Sequence, residues 1–87
     1  MTNDRETLRA LADDGNERAL DRLADLAEAR GDVQELSDLL DEGCLHAGEL
    51  LTRRAAAVRD LRELQRIADA GYDEAAEVLE QLLVSDR

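Results

Sequence analysis

Phe, Trp and Lys are missing from this 87-residue chain, Cys and Tyr occur once each, and acidic residues outnumber basic ones two to one. Each scarcity excludes something. With Tyr72 the only aromatic residue, the core must be aliphatic and small-residue, and stacking on nucleobases is not available as a binding device. A lone cysteine, Cys44, rules out an intramolecular disulfide. The start, Met-Thr-Asn-Asp-Arg-Glu, has neither the basic segment nor the apolar run of a secretory signal, so a cytoplasmic location is expected. No apolar stretch approaches the roughly 18 residues of a membrane span. Eleven Arg stand against 22 Asp and Glu, giving a net charge of −11 and a pI near 4.3. Such a chain repels phosphate and anionic headgroups, which disfavours nucleic acid and membrane alike as partners.

What remains is enough to fold. Leu, Val and Ile make up 21 of 87 residues, above the floor of about 20% below which charged chains tend to be disordered. One small domain over residues 1–87 is expected. It would bury only about 60–65% of its unfolded surface, too little to enclose a deep substrate cavity. An enzyme is therefore not expected, and no complete catalytic or metal-ligating constellation is present. No cofactor is expected either.

The chain aligns with itself at an offset of 28 residues, the signature of a repeat architecture. A leader, residues 1–7, precedes units 8–35, 36–63 and 64–87. Units one and two share 10 of 28 positions. Five positions are identical in all three: Leu8, Leu36 and Leu64; Asp13, Asp41 and Asp69; Gly15, Gly43 and Gly71; Ala19, Ala47 and Ala75; Leu23, Leu51 and Leu79. Net charge divides as −1 for the leader and −4, −2 and −4 for the units, so the acid excess is spread along the chain.

Each unit reads as a helical hairpin. Asp32 with Glu35, and Asp60 with Glu63, have the spacing of a capping box. Asp4 occupies the same place one period earlier, with Thr7 in the Glu position. Apolar residues then recur at helical spacing, as in Val33, Leu36, Leu39 and Leu40. Gly15, Gly43 and Gly71 stand where a first helix ends in a left-handed residue. Second helices are predicted over Glu17–Arg30, Leu45–Val58 and Asp73–Val84. The expected fold is all-α: six helices in three stacked antiparallel hairpins, forming a short right-handed α-solenoid.

The pattern Leu-x-x-Leu/Ile-Ala/Leu-Asp-x-Gly-x-x-x-Ala-x-x-x-Leu, with Arg30-Gly31-Asp32-Val33 at a repeat junction, resembles degenerate helical-repeat arrays of actinobacterial proteins, similar in kind to tetratricopeptide and HEAT repeats. The absence of Lys beside abundant Ala, Asp and Leu likewise suits a high-GC bacterium. The unit is shorter than the 34-residue tetratricopeptide repeat and lacks that family's Trp, Tyr and Pro positions. The resemblance implies a protein-binding scaffold and carries over no ligand-contacting residues.

Candidate binding residues follow from departures and invariances. A carboxylate at a helix C-terminus opposes the helix dipole at a cost of roughly a few tenths of a kcal/mol, so the repeated Asp13, Asp41 and Asp69 need a reason. Either each caps the following turn or pairs with Arg of a neighbouring unit, or the row is a ladder for spaced basic residues of a partner. At helix-packing spacings of about 8–10 Å, three such carboxylates cannot share one metal ion. Asp14, Asp38 and Glu42 lie on the same exposed side of the first helices, which lines the concave groove in tetratricopeptide-like stacks. Tyr72, at a turn, either covers a packing seam or protrudes as a binding anchor.

The remaining candidates favour structural roles. His46, flanked by Glu42, Cys44 and Glu49, has His-x-x-Glu spacing but no second histidine, and is read as a surface histidine. Cys44, at the turn position held by Asn16 and Tyr72 elsewhere, is read as a small hydrophobe. Arg54 aligns with Leu26 and Leu82 and is expected to pair with an acid across the groove, an Asp of the repeated row being one option. Val78, Leu79, Leu82, Leu83 and Val84 leave the last hairpin without a polar cap, so a homodimer through them is expected if the chain is complete, and a continuing array if it is part of a longer one.

The expected function is a protein-interaction module whose acidic face binds a basic segment. The alternative is an acidic inhibitor, either a toxin-immunity protein or a nucleic-acid mimic, occupying the basic cleft of an enzyme.

Overall fold

Capping chemistry sets the boundaries of six helices: α1 (Arg5–Asp13), α2 (Glu17–Arg30), α3 (Val33–Asp41), α4 (Leu45–Ala57), α5 (Leu61–Asp69) and α6 (Glu74–Ser85). The coordinates are a computed structural model that describes residues 5–85. All regular structure among the described residues is helical, as the periodicity predicts. The span of α2 is the expected one. By contrast, α4 stops one residue before Val58, and α6 begins and ends one residue later than Asp73–Val84. Asp32 and Asp60 cap α3 and α5, accepting the backbone N–H of Glu35 and Glu63 at 3.1 Å. Each such cap contributes about 1 kcal/mol. The third expected cap, Asp4, lies outside the described residues.

The helix ends share one geometry. Five times the chain reverses through the same bond, in which an N–H donates to the carbonyl five residues back. The pairs are Asn16 to Leu11 at 3.1 Å, Asp32 to Ala27 at 2.9 Å, Cys44 to Leu39 at 3.0 Å, Asp60 to Ala55 at 2.9 Å and Tyr72 to Ile67 at 3.3 Å. This closure needs a left-handed residue just before the donor. Glycine supplies it at four turns, and Arg59, with φ of 54°, at the α4–α5 turn. A side chain in that conformation costs about 1–2 kcal/mol. In partial return, the Arg59 guanidinium donates to the Leu82 carbonyl near the end of α6 at 3.4 Å, where a cation also complements the helix dipole.

Helices pair as α1 with α2, α3 with α4 and α5 with α6, and α4 also packs directly on both α2 and α6. Among the described residues no comparable backbone approach joins α1 to α3 or α3 to α5. The sequence supplies the reason. Beside Leu23, Leu50 and Leu51, the second helices bury a run of small residues, Ala24, Ala27, Ala47, Gly48, Ala55 and Ala75, which let backbones come close. The first helices bury larger ones, Leu8, Leu36, Leu39, Leu40, Leu64 and Ile67, and reach one another through long polar side chains. Arg9 donates to Glu42 at 2.6 Å and Arg66 to the Ser37 hydroxyl at 2.9 Å. The molecule measures 50 × 22 × 15 Å with a radius of gyration of 13.8 Å, against about 12 Å for a compact chain of this length.

The five positions that recur every 28 residues divide by role. The Leu of the first helix and the Ala of the second are buried in all three units. Leu23 and Leu51 are buried, and Leu79 packs half-buried against the same core. The Gly takes positive φ each time. Asp13, Asp41 and Asp69 are exposed and take no left-handed turn conformation, so neither packing nor backbone geometry accounts for them.

Replacing Arg59 by glycine tests the turn geometry. Arg59→Gly should raise stability by about 0.5–1 kcal/mol, or roughly 3–6 °C in Tm for a chain this size. Arg59→Ala, which keeps the Cβ and loses the guanidinium, should lower it. Thermal unfolding followed by circular dichroism gives both values.

Candidate functional site

The antiparallel hairpins gather acidic residues at one end of the molecule. Every first helix finishes, and every second helix begins, at the turns around Gly15, Gly43 and Gly71. These ends carry Asp13, Asp14, Glu17, Asp41, Glu42, Asp69, Asp73 and Glu74, with Arg18 the one arginine among residues 13–18, 41–46 and 69–74. At the opposite end, residues 30–35 and 58–63 hold Arg30, Arg59 and Arg62 beside Asp32, Glu35, Asp60 and Glu63. The acid excess is therefore polarised along the hairpin axis. Glu17 and Glu74 lie in the first turns of α2 and α6, where the helix dipole favours them. The row at the first-helix C-termini is held against that dipole.

The row residues find partners close by. Asp13 lies 3.8 Å from Arg9 one turn earlier, and Asp69 accepts a hydrogen bond from Gln65 at 2.9 Å. Asp41 adds to the field that, after the direct hydrogen bond from Arg66 to Glu63, raises the Arg66 pKa. Asp38 accepts from Gln34 at 3.0 Å, Asp14 is exposed, and Glu42 takes the Arg9 bond across hairpins. All these carboxylates reach solvent. Among the described residues no cluster of three His, Cys, Asp or Glu side chains fits a metal ion.

The acidic residues form an edge running across the hairpin turns.

Polar ties lock the first two hairpins together. His46 is part-buried and bonds Asp25 of α2 through Nε2 at 2.7 Å, with Glu49 3.5 Å from Nδ1. Arg54 donates to Glu28 of α2; it does pair with an acid on the neighbouring hairpin, and that acid is outside the repeated row. Cys44 is buried, its Sγ 3.6 Å from Asp21 Oδ1. Burial pushes the thiol pKa up, and the neighbouring Asp21 carboxylate adds to the rise. At the far end, Val78, Leu79 and Leu82 pack half-buried against the core, while Leu83 and Val84 are 51% and 65% exposed.

Tyr72 covers a seam. Its ring lies on Gly48 of α4 so closely that a Cβ added there would come 2.7 Å from Cγ and Cδ1. Its hydroxyl donates to Glu74 at 3.1 Å. At the equivalent seam between the first two hairpins the sizes are exchanged, with Leu20 in the place of Gly48 and Cys44 in the place of Tyr72. Here a cleft of about 500 Å³ opens between the Gly15 and Gly43 turns, lined by Leu20, Cys44 and Leu45 together with Glu17, Asp21 and Glu42. Neither cleft nor Gly48–Tyr72 contact is expected from composition or periodicity. The paired exchange of large and small residues at one repeat offset is the signal that would have found both.

No family model, curated protein or solved structure matches the chain.

Two measurements check this packing. Gly48→Ala should destabilise by about 1–2 kcal/mol, because overpacking against Tyr72 outweighs the helix propensity gained; in a Tyr72→Ala background the same change should stabilise. Cys44 should resist alkylation in the folded protein at pH 8 and react fully in denaturant. With its pKa raised on folding, stability is full below the ordinary thiol value of about 8.5 and declines as pH rises through the folded value. Cys44→Ala should flatten that decline in urea titrations at successive pH values.

Proposed function

We propose that this chain is a non-catalytic protein-interaction module, a short right-handed solenoid of three repeat units, whose acidic edge binds an Arg- or Lys-containing segment of a cytoplasmic partner. The polarised charge carries the reading. Eight carboxylates gather at the hairpin turns, where Arg18 is the one arginine of the turn segments and Arg9 reaches in to Asp13 and Glu42, and their excess makes a field that attracts cations and discriminates against anionic partners. The elongated shape presents that edge along consecutive hairpins, so a segment can meet Asp13, Asp41 and Asp69 in turn.

The local chemistry supports binding over turnover. A thiol kept protonated by burial is a poor nucleophile, and His46 is already engaged by two carboxylates. Tyr72 contributes from beneath, by fixing the third hairpin on the second.

Isothermal titration with an arginine-rich peptide tests the proposal. Raising salt from about 0.01 to about 1 M shortens the Debye length from about 30 to about 3 Å, so affinity should fall by about tenfold or more. Neutralising Asp13, Asp14, Asp41 and Glu42 with Asn or Gln should weaken binding similarly, and Glu77→Gln/Glu80→Gln on the outer face of α6 should not. Affinity that ignores both salt and the edge substitutions would overturn the reading, and inhibition of a nuclease by the purified chain would replace it with the inhibitor alternative.

A further inference from the structure

We infer that the cleft between the first two hairpins is a pocket for an aromatic side chain of a basic partner segment, which binds with its flanking cations on Glu17 and Asp21. This rests on the acidic-edge reading and specifies where along that edge the partner is anchored.

The structure contains its own precedent. At the seam between the second and third hairpins, a ring from the turn residue Tyr72 lies over Gly48 and closes the space between neighbouring turns. At the first seam the turn residue is Cys44 and Leu20 stands in the place of Gly48, so a ring cannot lie against the helix as Tyr72 does, yet about 500 Å³ stays open between the turns. That volume lies within the range of about 300–1,000 Å³ typical of ligand sites. The chain has no second aromatic residue with which to fill it.

The lining specifies the occupant. Leu45 is 63% exposed at the mouth and Leu20 is part-buried beside it, so the surface that a ring would cover is apolar and wet. Glu17 and Asp21 stand on the α2 side, and among the described residues neither has an arginine or histidine within ion-pair distance. An anionic or purely aliphatic partner would leave those two carboxylates uncompensated. A ring flanked by arginines meets both requirements at once.

Fluorescence anisotropy with two labelled peptides, Gly-Arg-Phe-Arg-Gly and Gly-Arg-Ala-Arg-Gly, provides the test. The Phe peptide should bind about tenfold tighter, the increment expected for burying one aromatic side chain. Amide shifts on its binding should centre on Gly15, Gly43 and Leu45. Leu45→Ala, at an exposed position that does not endanger folding, should reduce the preference severalfold.

Equal binding of the two peptides would overturn this inference and leave the acidic-edge reading standing. A Phe preference with shifts centred on Gly71 and Asp73, or one unaffected by Leu45→Ala, would also overturn it. Binding of neither peptide would remove the inference together with the reading on which it rests.

Discussion

Close approach of the second helices is the constraint on which the rest depends. Without Phe or Trp, no side chain can fill a wide gap between helices, so burial must come from bringing backbones together. Ala24 and Ala27 on α2, Ala47, Gly48 and Ala55 on α4, and Ala75 on α6 make that possible, and Leu23, Leu51, Leu36 and Leu64 then fill what is left. Interiors tolerate few voids, which is why the one aromatic in the chain lies over its one helical glycine.

The same constraint distributes the polar chemistry. Charged residues lie outside the core, at the turns, on the flanks of the second helices where Arg54 meets Glu28 and His46 meets Asp25, and on the first-helix side. Arg9 and Arg66 span that side as struts between hairpins, and such exposed bonds contribute little to stability. Their value lies in fixing the angle between neighbouring hairpins. The acidic edge is in this sense a by-product of core packing that a binding function has available to it.

Helix starts and stops could be read from sequence because they depend on single residues. An Asp three positions before a Glu caps a helix, and a Gly in register ends one, whatever lies around them. The exposure of Asp13, Asp41 and Asp69 followed from the same logic. Arg54 shows where that logic stops: pairing with an acid could be anticipated, but the choice of Glu28 depends on how two hairpins are rotated against each other. Tyr72 was undecided until its neighbour Gly48 was known.

The five turns use one closure, and a stack built from like parts opens at its least favourable joint. That joint is the α4–α5 turn, where Arg59 holds a conformation that glycine holds at the other four. Beyond it α6 fully buries only Ala75 among its side chains. Thermal fluctuation should therefore not loosen the molecule evenly. The third hairpin should be the less cooperative unit, its amide protons exchanging by local detachment more readily than those of α3 and α4.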